Sequence, residues 1–245
     1  MTIFDYPEIE GITIMDSHID DIDPQLLWMT IDQLKVFLKY SSGFAKFVKE
    51  RGLIMDNEYM DGYGVTRTEM NFRDTRIIVN THLFEDRERL LEIMAELTEK
   101  SLVMPYDTDY SLKYLGLHEG AHAFQSYLFY LESIKDNLRW DKEYRVVQKR
   151  VKNTESKTEK AQLFDEYTRS LAQAIKTDII GITLDLCPFL DVSEQMSVTG
   201  MKNERDFFAE CLANALAGKP NILGRAVLLY LKNKGEEIWS KKIKI

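Results

Sequence analysis

The residues with the clearest chemical pattern are His118-Glu119-Gly120-Ala121-His122, which lie inside a stretch with helical periodicity. Two histidines four positions apart on a helix project from the same face, one turn from each other. Both imidazoles can therefore reach one Zn²⁺ at about 2.0–2.1 Å, the usual zinc–nitrogen distance. Glu119 is placed to act as general base on a zinc-bound water, whose pKa falls to about 7. The pattern predicts Zn²⁺ as a cofactor and Glu119 as a catalytic residue.

The helix that carries this motif is expected over about 112–137, and its core-facing side is a separate apolar stripe. His118 and His122 each follow a stripe position by one residue, about 100° around the helix, so they flank the core and need not fill it. Gly120 costs roughly 1 kcal/mol of helix propensity against alanine, which suggests close approach of a neighbouring backbone. The stripe consists of Leu117, Ala121, Phe124, Leu128 and Leu131.

The third metal ligand must come from another part of the chain, because positions 125 and 128 are Gln and Leu and do not extend the motif to a third histidine. A helix expected over about 203–217 carries Asp206 and Glu210 on one face. One of these carboxylates suits a metal ligand, and the other suits a group that orients a ligating histidine. Two alternatives remain: an acidic helix start stabilised by the helix dipole, and a histidine pair that binds no metal.

The segments 115–126 and 199–217 together resemble the catalytic domain of the anthrax toxin lethal factor and its metallopeptidase relatives, which are zincins with a glutamate ligand. The likeness rests on the HExxH motif followed by alanine, and on a distant acid followed by Phe-Phe-Ala-Glu. It implies a zinc-dependent peptidase in which Asp206 is the third ligand and Glu210 supports the site. It also implies that strand 76–84 is an edge strand that pairs with an extended substrate.

Two positions depart from the pattern of that family. Asp206 stands where the family has Glu, so its helix must come closer to the motif helix or Glu210 must replace it as ligand. Thr199 stands where the family has a tyrosine that stabilises the oxyanion, so that a tyrosine from elsewhere, such as Tyr106, Tyr110 or Tyr114, would have to substitute. These two departures affect the expected catalytic rate more than the expected metal binding.

The pattern of elements predicts an α+β fold, mostly helical with a small mixed sheet packed on the motif helix. The resemblance implies that this fold is zincin-like. We expect one domain over 1–245, in which a helical N-terminal segment (1–52) precedes a metallopeptidase core (53–245) with a charged helical insertion at about 138–180. Strands are expected at 65–72 and 76–84, and the stretch 181–203 is expected to be rich in loops.

Composition narrows the expected partners and location. The 245 residues include 32 Lys and Arg against 40 Asp and Glu, a net charge of −8 that argues against nucleic acid as the main partner. No signal peptide and no apolar run of about 20 residues is present, so we expect no membrane partner and a cytoplasmic location. Cys187 and Cys211 are expected to be free thiols. The expected partner is a protein or peptide substrate.

A second hypothesis is a zincin-shaped binding module that keeps a structural zinc and has little or no catalytic activity. The absent family tyrosine favours it, and the charged region 132–176 would then dock a partner. The two remaining histidines, His18 and His82, are expected to be structural or exposed. The sequence does not locate a substrate-binding pocket.

Overall fold

The computed structural model describes residues 11–15, 21–62, 64–67, 72, 75–103, 108–134, 140–218 and 220–234. The α+β class is confirmed: the described chain is mostly helical with one small mixed sheet. In chain order the elements are β1 (Ile12–Ile14), α1 (Pro24–Tyr40), α2 (Ser42–Arg51), β2 (Leu53–Glu58), β3 (Gly64–Arg67), β4 (Thr75–Asn80), α3 (Thr81–Phe84), α4 (Arg87–Glu99), α5 (Thr108–Ile134), α6 (Trp140–Asn153), α7 (Lys157–Leu186), a 3₁₀ turn (Val192–Gln195), α8 (Val198–Lys202), α9 (Glu204–Leu216) and α10 (Ile222–Asn233).

The sheet has the order β1-β2-β4-β3, in which the first three strands are parallel and β3 runs antiparallel to β4. The expectation that strand 76–84 is an edge strand is therefore wrong, because β4 pairs with β2 on one side and β3 on the other. Strand β2 was not predicted from the sequence because Asp56, Asn57 and Glu58 are poor strand formers that tertiary packing buries or half-buries. Among the described strands, β1 and β3 form the two edges.

The strand expected over 76–84 also ends earlier than its apolar sequence suggests. Asn80 caps a short helix, since its side-chain oxygen accepts a hydrogen bond from the backbone N–H of His82. His82 therefore lies on α3 and contacts Glu85 and Tyr59. The strand expected over 65–72 is observed as Gly64–Arg67, and residues 68–71 lie outside the described part, as does His18.

Helix α5 packs closely on α1 through two glycines one turn apart. A Cβ added at Gly116 would lie 3.1 Å from backbone atoms of Thr30 in α1. A Cβ added at Gly120 would lie 2.5 Å from the ring of Phe37, which is fully buried. The close approach expected at Gly120 is thus made by side chains, and the backbone approaches at Gly116. This contact fixes the motif helix against the N-terminal helices.

We predict that Gly120→Ala lowers the free energy of unfolding. Overpacking against the Phe37 ring costs about 1–3 kcal/mol, and the ring is enclosed and has little room to shift. The control is Gly181→Ala, because Gly181 lies in α7 with nothing within 4 Å of an added Cβ. There alanine should raise stability by up to about 1 kcal/mol. Urea unfolding of both variants gives the comparison, and a stabilised Gly120→Ala variant would contradict the observed packing.

The C-terminal helices enclose the motif helix from the other side. Helix α7 runs on to Leu186, so the prediction of loops from 181 onward is wrong over its first six residues. One face of α7 is buried against α9 and α10, and α9 lies between α7 and α5. The apolar and aromatic residues of this buried face are Leu163, Tyr167, Leu171, Ala172, Ile175 and Ile179. None of the described helices is both long and apolar enough to cross a membrane.

Candidate metal centre

The packing of α9 on α5 brings together three potential metal ligands, His118, His122 and Asp206. The two histidine Nε2 atoms lie 3.1 Å apart. Oδ1 of Asp206 lies 3.2 Å from Nε2 of His122 and 3.7 Å from Nε2 of His118. Among the described residues, this is the group of histidine, cysteine and acidic side chains that meets the geometry of a metal site.

The size of this triangle fits a tetrahedral zinc ion. Ligand atoms about 2.0–2.1 Å from zinc at tetrahedral angles lie about 3.3–3.4 Å from one another, and the observed edges span 3.1 to 3.7 Å. Asp206 reaches the histidines although it is one methylene shorter than the glutamate it replaces. Of the two possibilities raised by that replacement, the geometry matches the one in which α9 comes close enough for the shorter side chain.

The three side chains are largely enclosed, with exposed fractions of 12%, 16% and 19% for His118, His122 and Asp206. Burial by itself would raise the pKa of Asp206, but hydrogen bonds and positive charge from both histidines hold that pKa well below its usual range. Burial would lower the pKa of His118, and the neighbouring carboxylates of Asp206, Glu119 and Glu210 outweigh it, so this pKa is raised. The site therefore favours a cation.

The far side of the His118 ring has a defined partner. Its Nδ1 lies 3.1 Å from the hydroxyl oxygen of Tyr114, one turn earlier on α5. Metal binding through Nε2 requires the tautomer that carries its proton on Nδ1, and that N–H can donate to the Tyr114 oxygen. Tyr114, considered above as an oxyanion donor, instead contacts the nitrogen that faces away from the Asp206 carboxylate.

Glu119 lies beside the triangle and is held by the edge strand. Its Oε2 accepts a hydrogen bond of 2.7 Å from the hydroxyl of Thr66 on β3. The residue is 4% exposed, and the same hydroxyl lies 3.1 Å from the Glu119 backbone oxygen. Thr66 thereby fixes the carboxylate proposed as the base and ties β3 to the motif helix.

Glu210 lies outside the triangle, and its carboxylate is engaged by another element. It is fully buried and accepts hydrogen bonds from the hydroxyl and the backbone N–H of Ser197, the N-cap of α8. Burial raises its pKa, against the effect of these hydrogen bonds. Its charge contributes to the raised pKa of His118, and its hydrogen bonds to Ser197 hold α8 to α9.

Within the described residues, no tyrosine replaces the oxyanion-stabilising tyrosine of the lethal factor relatives. Thr199 is exposed on α8. Tyr106 and the side chain of Tyr110 lie outside the described part of the chain, and Tyr114 bonds His118. Thr66 and Ser197 were not predicted as site residues, since both contact residues that are distant in sequence. The four-residue spacing of Tyr114 and His118 was the one local signal that could have revealed their contact.

A cleft of about 730 Å³ opens beside the triangle and reaches His122. Its walls come from β3 and β4, from α5 after the motif, and from the start of α7. Apolar side chains and several basic side chains line it together. A cavity of this size next to a candidate metal centre is the place where a substrate would be expected.

Comparison of the chain with protein-family models, with curated proteins and with solved structures found no match.

Proposed function

We propose that this protein is a zinc-dependent metallopeptidase that hydrolyses peptide bonds. The observation that carries the proposal is the triangle formed by His118, His122 and Asp206, together with Glu119 beside it and the adjoining cleft. His122 and Asp206 lie on different helices, 84 positions apart in sequence. Their side-chain N and O atoms nevertheless lie at distances that suit the ligands of one zinc ion. A histidine pair held by hydrogen bonds to Asp206 without a metal would not explain the enclosed carboxylate of Glu119 or the adjoining cleft.

In this mechanism His118, His122 and Asp206 would hold the zinc ion. Zinc would polarise the scissile carbonyl and acidify the attacking water. Glu119 takes the proton from that water on its carboxylate and then delivers it to the nitrogen of the leaving amine. The Thr66 hydroxyl keeps the Glu119 carboxylate oriented during both transfers, and Tyr114 keeps His118 in the tautomer that leaves Nε2 free.

We assign substrate alignment to β3 in place of the strand expected from sequence. Strand β3 pairs with β4 along one side and forms an edge of the described sheet. An extended peptide can add to such an edge through main-chain hydrogen bonds. Because Thr66 of β3 contacts Glu119 directly, a peptide bound along this strand would pass next to the proposed base.

The test of the proposal is cleavage of a mixed peptide library by zinc-reconstituted protein, with the new termini identified by mass spectrometry. We expect cleavage that stops with the chelator 1,10-phenanthroline and returns when zinc is added back. Absence of cleavage by a zinc-loaded, folded protein would reject the peptidase.

We predict that Thr66→Val slows cleavage by about 10- to 100-fold. The substitution preserves shape and strand propensity but removes the hydrogen bond to the Glu119 carboxylate, and bonds to charged groups contribute about 1.5–3 kcal/mol. The loss should fall on kcat, since zinc and the backbone of β3 are unaffected.

The matched control is Thr98→Val, which removes a hydroxyl that bonds within α4, away from the site. Its kinetics should equal those of the wild type. If Thr66→Val cleaves as fast as the control, the contact with Glu119 has no part in catalysis.

A further inference from the structure

The cleft beside the candidate metal centre has a charge opposite to that of the whole chain. Its described lining includes five basic side chains, Arg67, Arg76, Lys157, Lys160 and Arg205, and one carboxylate, Asp165. The chain as a whole has a net charge of −8. A concentration of positive charge in an otherwise acidic protein points to the charge of what binds there.

Two of these cations are already neutralised. Arg76 pairs with the buried Asp56 at 3.3 Å, and Arg205 pairs with Asp165 at 2.7 Å. The other three have no ion pair with any described residue: Arg67 on β3, and Lys157 and Lys160 on α7. Within the described part of the chain, the cleft therefore has three positive charges without an ion-pair partner beside the proposed catalytic site.

The placement of the two lysines adds to this charge. Both belong to the first turn of α7, a helix of 30 residues, and that turn lines the cleft. Basic residues are disfavoured in a first turn because the helix dipole is positive there. Glu159 in the same turn is hydrogen-bonded to Thr154 and does not line the cleft. The dipole and the lysines together make this wall a site for an anion.

We propose that the cleft selects acidic peptide segments, with substrate carboxylates bound by Arg67, Lys157 and Lys160. This inference rests on the proposed function for the statement that the bound peptide is a substrate. Arg67 follows Thr66 on the edge strand, so an extended peptide paired with β3 would carry its side chains into the cleft. Substrate Asp or Glu residues near the scissile bond would then meet these three cations.

A peptide fits these observations better than nucleic acid does. An edge strand offers main-chain hydrogen bonds that a peptide can match and a nucleic acid cannot. A short peptide segment with a few carboxylates also matches the cations of the cleft, whereas binding of a long polyanion is opposed by the net charge of −8 of the whole chain.

The test measures binding without turnover, using zinc-loaded Glu119→Gln protein and fluorescence anisotropy. The probes are a labelled decapeptide of alternating Glu and Ala, its Gln-Ala counterpart, and a ten-nucleotide oligo-dT. We expect the Glu peptide to bind about tenfold more tightly than the Gln peptide at low salt. The difference should shrink as salt is raised.

Two triple variants in the same background locate the effect. Arg67→Gln/Lys157→Gln/Lys160→Gln should abolish the preference for the Glu peptide. Arg87→Gln/Lys149→Gln/Lys152→Gln removes the same charge from exposed positions outside the cleft and should retain the preference. Circular dichroism checks that both variants are folded, and all six side chains are at least partly exposed.

The inference is overturned if the two peptides bind equally, or if the cleft variant keeps the preference. It is also overturned if oligo-dT binds more tightly than the Glu peptide and loses affinity in the cleft variant, which would assign the cleft to nucleic acid. Because binding needs no cleavage, a preference for the Glu peptide in a protein that cleaves nothing would reject the peptidase and retain the acidic ligand.

Discussion

Glu119→Gln is expected to lower peptide cleavage by about 10²–10⁴-fold while the protein keeps its zinc. Glutamine has nearly the same shape and can still accept the hydrogen bond from Thr66, so the site should stay assembled. Its amide cannot take a proton from water or return one to the leaving amine. The measurement is kcat/KM for a peptide identified in the library digest, together with zinc content by elemental analysis.

The control for this variant is Glu92→Gln, which removes an exposed carboxylate on α4. It should cleave like the wild type. Equal cleavage by wild type and Glu119→Gln would show that Glu119 is not the base. If neither protein cleaves, and removing zinc lowers the melting temperature and abolishes partner binding, the protein is the zinc-stabilised binding module.

Asp206→Ala is expected to weaken zinc binding by at least about a hundredfold, since even groups that only support a ligand contribute 10–100-fold. Removing the carboxylate leaves two histidine nitrogens, too few for a stable tetrahedral site. Zinc affinity is measured by competition with a chelator at fixed pH, because protons compete with zinc for His118, whose pKa is raised.

Glu210→Gln provides the matched comparison on the same helix. Its side chain bonds Ser197 and lies outside the triangle, so zinc affinity should change little, with a modest loss of stability. The opposite pattern, with zinc lost in Glu210→Gln and retained in Asp206→Ala, would make Glu210 the ligand. That result would require the Glu210 side chain to leave Ser197 in the metal-bound protein.

The features that could be predicted from the sequence are those encoded within one element. The spacing of His118 and His122, the apolar stripe beside them and the acidic face of α9 all follow from helical periodicity. The likeness to lethal factor relatives singled out Asp206 on that face, and the structure places Asp206 next to both histidines. The metal and the reaction remain predictions.

The features that could not be predicted depend on tertiary packing. Strand β2 forms because neighbours on both sides pair with it, although three of its six residues are polar. Because β2 pairs with β4, β4 lies in the interior of the described sheet, and β3 is the edge strand beside Glu119. Two contacts join distant segments, Thr66 with Glu119 and Ser197 with Glu210. No local sequence pattern predicts them.

The basic cleft also could not be predicted from the sequence, because its cations come from distant segments of the chain. The net charge of −8 is the average over all residues, and it argued only against nucleic acid as the main partner. The fold gathers Arg67 with Lys157 and Lys160, which are about 90 positions away in the chain. Local charge, and not the average, decides what a cleft attracts.

The most direct test of the central claim is the zinc content of wild-type protein, purified without chelator or added metal and measured by elemental analysis. We predict about one zinc per chain, bound by two histidines and one carboxylate. Absence of zinc, even after reconstitution with the metal, would mean that His118, His122 and Asp206 form a hydrogen-bonded cluster without a metal. Both the zinc site and the proposed peptidase activity would then be rejected.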